Sequence, residues 1–316
     1  MFADIENNKF IKKPSTVSII SFPFNGGQSH PGVELGPKEL IGLGLVDQLK
    51  EMGYGIAETS GVVDTESLKP TVVAKGLNTN NTEWVSAACK ELSSRVEAEC
   101  RKGFLPVTLG GDHSLAIGTL NGSLKVFGDK LRVLWVDAHA DINPLNETAS
   151  GNLHGCPLAL VCGIDKSPFF DWIKEHLGFD KLVYIGLRDV DLPEQKVIKK
   201  HNIKAFTMYH IDKYGISKVF DMAMDYINPN RDLPVHMSFD VDSMDPSVIP
   251  ATGTPVRGGM TFREGHFLCE AMAETGCLVA MDLAEVNPLL GDKEAQFKTI
   301  DIGCSLVRSA LGETLL

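Results

Sequence analysis

A chain of 316 residues, 43% hydrophobic and 22% charged, is long and apolar enough to enclose a large core, as one big α/β domain or two smaller ones. Its formal net charge of −11 argues against a general nucleic-acid binder, since no basic patch stands out to neutralise phosphates. No apolar run approaches the roughly 18 residues of a membrane span. The opening MFADIENNKFIKKPS lacks the apolar core of a secretory signal, and the 7 cysteines include no CxxC pair, so reduced thiols and a cytoplasmic location are expected.

In chain order, β-branched runs predict strands at VSIISF (17–22), YGIAE (54–58), PVTLG (106–110), RVLWVD (132–137), LVYIGL (182–187), KAFTM (204–208), VHMSFD (235–240) and CLVAMDLAEV (277–286). Several are continuously apolar, as strands become when helices cover both faces of a parallel sheet. Between them, amphipathic patterns predict helices over 37–53, 82–103, 215–228 and 261–276, the second capped near Asn81 and ended at Gly103. The alternation contains no Pro/Ser-rich linker, repeat or low-complexity tract. A single three-layer αβα domain spanning residues 1–316 is therefore expected, with an irregular loop over 143–155.

Parallel sheets bind ligands beyond the carboxyl ends of their strands, and four acidic or imidazole clusters fall at such ends. PVTLGGDHS delivers Asp112 and His113, WVDAHAD delivers Asp137, His139 and Asp141, MSFDVDSMDP delivers Asp240, Asp242 and Asp245, and MDLAEVNP delivers Asp282 and Glu285. In extended chain, positions i, i+2 and i+4 share a face, so Asp137, His139 and Asp141 point one way, as do Asp240 and Asp242. DxD alone is weak, and a lone His113 would read as a capping or hydrogen-bonded core histidine. Together, four carboxylates and two imidazoles at one edge would repel and raise their own pKa values unless cations were present. Two divalent ions balance four aspartates, and an oxygen-rich set with a little imidazole favours Mn over zinc.

The motifs GGDHS, DAHADIN, SGNLHG, SFDVDSMDP, ATGTPVRGG and EVNP occur in an order that resembles the ureohydrolases, most closely the arginases, over nearly the whole chain. The resemblance implies an eight-stranded parallel sheet between helix layers and two Mn²⁺ per subunit. It also implies hydrolysis of L-arginine to L-ornithine and urea by a hydroxide bridging the metals. On the matching motifs, His113, Asp137, Asp141 and Asp240 would hold one ion, and Asp137, His139, Asp240 and Asp242 the other, with Asp137 and Asp240 bridging. Asp141 and its acidic neighbours would also help stabilise the tetrahedral intermediate. Glu285 resembles the residue that grips the guanidinium, a planar cation suited to a bidentate acceptor; the bland alternative is a salt bridge to an arginine of this chain. His154 resembles the family's proton shuttle, the alternative being a loop histidine without a role. Asp245 reads as a turn-fixing residue, and Asp112 either accepts from a ligating histidine or does not.

At the far end of the substrate, Asn143, Ser150 and Asn152 resemble the residues that hold the α-carboxylate, Asp191 with Glu194 behind it the α-amino site, and Thr254 a pocket wall near Glu285. His30 stands where the arginase pattern usually has an arginine. Arg263 and Glu264 match residues that the family places at trimer contacts, although unaided they read as solvated helix charges; a homotrimer or higher homo-oligomer is expected, on a C-terminus, GETLL, that looks short. Cys156 reads as a buried thiol. Two rival readings stay open: another ureohydrolase such as an agmatinase, and a metal-binding scaffold that has lost catalysis and serves a regulatory role. L-Arginine is the expected partner, with no membrane and no nucleic acid.

Overall fold

The computed structural model of the chain describes residues 7–71 and 77–313; MFADIE of the segment read for a leader and the final TLL of the tail lie outside them. In chain order the elements are β1 (Thr16–Phe22), α1 (Gly36–Gly42), α2 (Leu45–Glu51), β2 (Gly55–Ile56), β3 (Gly61–Val62), α3 (Thr82–Lys102) and β4 (Leu105–Gly110). Next come α4 (Ala116–Phe127), β5 (Arg132–Val136), α5 (Pro157–Val161), β6 (Leu182–Leu187), α6 (Leu192–His201), β7 (Lys204–Thr207) and α7 (Met208–Tyr214). The last are α8 (Ile216–Ile227), β8 (Val235–Asp240), α9 (Phe262–Glu274), β9 (Leu278–Ala284) and α10 (Lys293–Ala310).

All strand pairs are parallel, in the order β2–β1–β4–β9–β8–β5–β6–β7 with β3 also on β1. Among the described residues the sheet has nine strands but eight positions across, because β2 and β3 share the edge of β1 that β4 leaves free. The expected strand at 54–58 is thus cut to two residues, and the break is filled by the Ser60 hydroxyl, which accepts the Ile19 N–H at 2.9 Å. So short and irregular an edge offers little template to another strand.

Every residue of β4, β6, β8 and β9 is buried, which requires cover on both faces. Two sets of helices supply it: α3, α4 and α5 pack together, as do α1, α2, α10, α9, α8 and α7. The result is a three-layer αβα arrangement with the apolar side chains of the sheet at its centre, among them Trp135, Tyr184 and Phe239.

Elsewhere the structure adjusts the expected boundaries. The helix read over 37–53 breaks into α1 and α2 at Gly44, which takes φ 96°. Helix α3 starts after Asn81 and stops at left-handed Gly103 as expected, but the Asn81 side chain caps nothing and instead donates to the Gly26 carbonyl at 3.0 Å. The strand read over 277–286 stops at Ala284 because Glu285 is left-handed, φ 66°. Helices α4, α5, α6, α7 and α10 lie outside the expected helices; in α4, Gly118 and Gly122 interrupt the apolar pattern that would reveal it.

The four strands whose ends carry the acidic clusters, β4, β9, β8 and β5, stand side by side. Leaving β4, the chain passes Gly111, where a Cβ would sit 1.8 Å from the Phe24 carbonyl oxygen. Gly111→Ala is therefore expected to cost about 3 kcal/mol or more in urea denaturation, whereas Gly61→Ala, with nothing within 4 Å, stays within about 0.5 kcal/mol of the parent. Equal stability of the two variants would refute the close approach.

Candidate metal centre and active-site cleft

Beyond Gly111, Asp112 caps the short turn His113–Leu115: its Oδ1 accepts the Ser114 N–H at 3.0 Å and its Oδ2 the Gly27 N–H at 2.8 Å. It touches no histidine, so the option of Asp112 as acceptor for a ligating imidazole is set aside. The turn crosses the end of β9, where Glu285 accepts the His113 N–H at 2.9 Å, and brings the fully buried imidazole over the ends of β8 and β5.

There His113 Nδ1 lies 3.1 Å from Asp137 Oδ2, 3.2 Å from Asp141 Oδ2 and 3.1 Å from Asp240 Oδ2. On the far side of the ring, Nε2 lies 2.9 Å from Ser238 Oγ. Ser238 gives its proton to Asp282 at 3.1 Å, so it must accept from His113, which puts the imidazole proton on Nε2. In the neutral ring Nδ1 is then a bare lone pair, buried with no hydrogen-bond partner among the described residues and facing three carboxylate oxygens. Only a cation or a proton resolves that contact.

A second group shares Asp137. His139 Nδ1 lies 3.4 Å from Asp137 Oδ1 and 3.1 Å from Asp242 Oδ2. His113, Asp137 and Asp240 thus converge as one potential ligand set, and Asp137, His139 and Asp242 as another. The carboxylates are aimed by backbone: His139 N–H donates to Asp137 Oδ1 (2.7 Å), Asp242 N–H to Asp240 Oδ1 (2.8 Å) and Ala138 N–H to Asp242 Oδ1 (3.3 Å). Trp135, two residues before Asp137 on the same face, donates Nε1–H to Asp137 Oδ2 at 3.0 Å and stacks on His113 with centroids 4.2 Å apart. Asp141 adopts φ 49°, a left-handed turn that an aspartate tolerates better than most residues.

The electrostatics record the crowding. Burial, then the charges of Asp242 and Asp137, pushes Asp240 well above the usual carboxylate range; burial and Asp137 likewise raise Asp242, and lift Asp141 to about 6. Burial also acts to raise Asp137, but the adjacent His113 and His139 imidazoles outweigh that and hold it low. Burial works against charge on both imidazoles, yet their carboxylate partners raise His113 and His139 far above the imidazole range. Without cations, protons must occupy this cluster, and cations would displace them.

Asp282, read from the sequence as one more group at the strand ends, lies instead inside β9. Its Oδ2 accepts from Thr119 Oγ1 (2.7 Å), Ser238 Oγ (3.1 Å) and His236 Nε2 (3.0 Å), and Ser123 Oγ lies 2.9 Å from His236 Nδ1. This dry chain ties α4 to β8 and fixes the tautomer of His113. Sequence reading missed Thr119, His236 and Ser238; the one signal was a carboxylate amid the apolar residues of β9. Asp245 also turns away, accepting the Ser247 N–H at 2.9 Å and the Gly258 N–H at 2.8 Å, and so fixes the loop that carries Thr254.

A cleft of about 130 Å³ opens above the two groups, walled by His139, Asp141, Asp240 and Asp242 on its floor and by Asn143, Ser150, His154, Asp191, Glu194 and Thr254 around it. Thr254 Oγ1 donates to Asp242 Oδ2 at 2.9 Å, and Asn143 Nδ2 to Asp191 Oδ2 at 3.1 Å. Asp191 caps α6, while Glu194, three percent exposed, spends its oxygens on the Ile142 (3.0 Å) and Asp191 (2.9 Å) N–H groups. Glu194 thereby positions Asp191 rather than presenting a free carboxylate. Asn152 is not on the wall; its Oδ1 lies 3.4 Å from Asn80 Nδ2. Thr148 and exposed Asp189 also border the cleft and escaped sequence reading, although Asp189 alternates with Asp191 in RDVD.

His154 Nδ1 donates to Glu285 Oε1 at 2.9 Å, and Glu285, almost wholly buried, pairs with no arginine among the described residues. Burial alone would lower His154, but the hydrogen bond and charge of Glu285 raise it to about 9. His30 is exposed, its Cδ2 4.0 Å from where a Gly253 Cβ would stand. Arg263 is exposed, and Glu264 accepts the Thr261 N–H (2.7 Å) in the capping box of α9. Cys156 is fully buried, and burial followed by the charges of Asp141 and Glu194 keeps its thiol protonated.

Asp282→Ala should cost about 3–5 kcal/mol in urea denaturation, because three buried donors lose their common acceptor; a loss below about 1 kcal/mol would show the network to be inert. Because the folded pKa of His154 is raised, its pairing with Glu285 stabilises fully below the ordinary imidazole range and is lost as pH rises through about 9. Glu285→Gln should accordingly return His154 to that ordinary range, read by NMR titration of its ring protons in metal-free protein; a value still near 9 would refute the pairing.

Comparison with known proteins agrees with this geometry. The family described as Arginase family matches residues 15–312. The arginase of Glaciozyma antarctica is 48% identical over 317 residues, covering 97% of this chain and 90% of that protein. The arginase of Neurospora crassa is 47% identical over 328 residues, covering 100% and 91%. The solved structure of the arginase from Bacillus caldovelox superposes with a TM-score of 0.87 at 34% identity, over 95% of this chain and 99% of that one. The chain belongs to the arginase family.

Proposed function

We propose that the chain hydrolyses L-arginine to L-ornithine and urea, with two Mn²⁺ per subunit as its cofactor and residues 1–316 acting as one domain. The observation that carries this reading is the bare His113 Nδ1 facing Asp137, Asp141 and Asp240, with Asp137 shared by a second imidazole–carboxylate group. An oxygen-dominated donor set with one imidazole per group suits Mn²⁺. His113, Asp137, Asp141 and Asp240 would hold one ion, and Asp137, His139, Asp240 and Asp242 the other. Bound there, paired divalent cations supply water acidic enough to act as hydroxide at neutral pH.

The remaining steps fall to the chain's own side chains. Glu285 would take guanidinium N–H donors: Oε1 is shared by His113 N–H and His154, and Oε2 lies 3.9 Å from the position of a Gly253 Cβ, next to Thr254. His154 gives Nδ1 to Glu285 while lining the cleft, which leaves Nε2 to hold and return a proton to the leaving amine. Asp141, besides binding metal, would add charge stabilisation to the tetrahedral species. Asn143, held against Asp191, and Ser150 would read the α-carboxylate, and Asp191, braced by Glu194, the α-amino group. Asn152 would act through the loop that it shares with Ser150. This paired donor and acceptor at the cleft wall suits an amino-acid head group and supports L-arginine over agmatine, which lacks the carboxylate.

The free, buried cysteines support a reducing, cytoplasmic setting, and no helix among the described residues is long and apolar enough to cross a membrane. Exposed Arg263 and the half-exposed ring of Phe262 at the start of α9, with Glu264 beside them, support a homotrimer or higher homo-oligomer through that turn.

The test is urea release from L-arginine and agmatine side by side after Mn²⁺ loading. L-Arginine should be preferred by at least about 100-fold in kcat/KM, chelation should abolish turnover, and Asp137→Ala should lose both ions and nearly all activity. Comparable turnover of agmatine would reject the head-group reading, and full activity in Asp137→Ala would reject the site.

A further inference from the structure

Arg188 follows β6, away from both proposed ligand sets in sequence, and its side chain donates only to backbone carbonyls. Nε and Nη2 reach the Val256 oxygen at 3.1 and 2.7 Å, Nη2 reaches Asp242 at 2.6 Å and Met244 at 3.2 Å, and Nη1 reaches Ser243 at 3.1 Å and Gly186 at 3.4 Å. One rigid guanidinium fork thus joins the end of β6 to the turn that carries Asp242 and to the loop that carries Thr254. Those two loops meet again where Thr254 donates to the Asp242 carboxylate at 2.9 Å. Among the described residues the charge is not paired with a carboxylate; its donors turn to carbonyls, which a neutral side chain could not satisfy in the same number.

The contacts lean to one set. Asp242 belongs only to the set with Asp137 and His139, and although its N–H also aims the shared Asp240 at 2.8 Å, the Arg188 side chain makes no hydrogen bond to His113 or Asp141 of the other set. The link from Arg188 to the Asp137 loop runs through backbone, Arg188 N–H to Ala138 carbonyl at 2.9 Å, and survives any side-chain substitution.

We propose that Arg188 is a positioning residue chiefly for the second cation, holding Asp242 and Thr254 in register with Asp137 and His139, and that its loss uncouples the two metal sites. This rests on the two-ion reading above. Groups behind the ligands of a metal commonly change affinity by about 10–100-fold, and the effect here falls on one ion of the pair.

The experiment titrates metal-free protein with Mn²⁺, reading bound metal per chain and release to a chelator, with circular dichroism as the check on folding. The parent should take up two ions. Arg188→Met should retain one ion within about 3-fold of the parent affinity and bind the second at least about 10-fold more weakly. Arg188→Lys, which keeps the charge but offers three donors from a point, should fall between and guards against a Met variant that does not fold. Added to Arg188→Met, His139→Ala should change uptake little and His113→Ala should abolish what is left. Equal weakening of both ions, or no weakening, in the folded Arg188 variants overturns the proposal while leaving the two-ion reading intact. A parent that binds fewer than two ions overturns that reading and this inference with it.

Discussion

Carboxylates packed against one another in a dry interior set the terms for this protein. Three carboxylate oxygens lie 3.1–3.2 Å from an imidazole nitrogen that can hold them together only through a proton or a cation. Such a contact is repulsive on its own, and the chain spends much of its architecture on sustaining it. The strand order puts β9 and β8 between β4 and β5, so that four strands far apart in sequence end together. The glycine exit from β4 then lets the His113 turn cross over β9 toward the aspartates.

Once gathered, the groups are kept from relaxing apart. Backbone N–H groups fasten Asp137, Asp240 and Asp242, a buried Asp282 relay fixes the His113 tautomer from behind, and the Arg188 fork closes the Asp242 side. Asp141 and Glu285 hold left-handed backbone within the site, a conformation that costs of order 1–3 kcal/mol where surroundings do not favour it. Preorganisation of this kind places charge before substrate arrives, which is where electrostatic catalysis draws its strength. The apolar three-layer core supplies the rigidity against which these polar groups are set.

Much of the site could be read before any coordinates. Asp137, His139 and Asp141 alternate after an apolar strand, and Asp240 with Asp242 does the same, so their common direction follows from strand geometry. Asp245 was legible as a turn-fixing residue, but Asp112 and Asp282 show the limit of that reasoning: each is an acidic residue in a conspicuous motif, yet the first caps a turn and the second is a buried hub. Their partners, 2 residues away for Asp112 and 163 away for Asp282, are chosen by the fold. Glu194 stands behind Asp191, as its place in the motif implied, whereas the Asn152 amide oxygen lies against Asn80, a neighbour that only folding brings near.

Taken alone, the amino-acid order determined the α/β class, the parallel strands and the alternating donors at their ends, because hydrophobic period and side-chain direction are local properties. It could not determine that the edge strand would split in two, that the helix over 37–53 would break at Gly44, or that Arg188 would serve the Asp242 turn. Those outcomes depend on which backbone groups meet across the sheet and which are left to be satisfied by side chains. They are settled by non-local hydrogen bonding and packing, which come into existence only when the layers close.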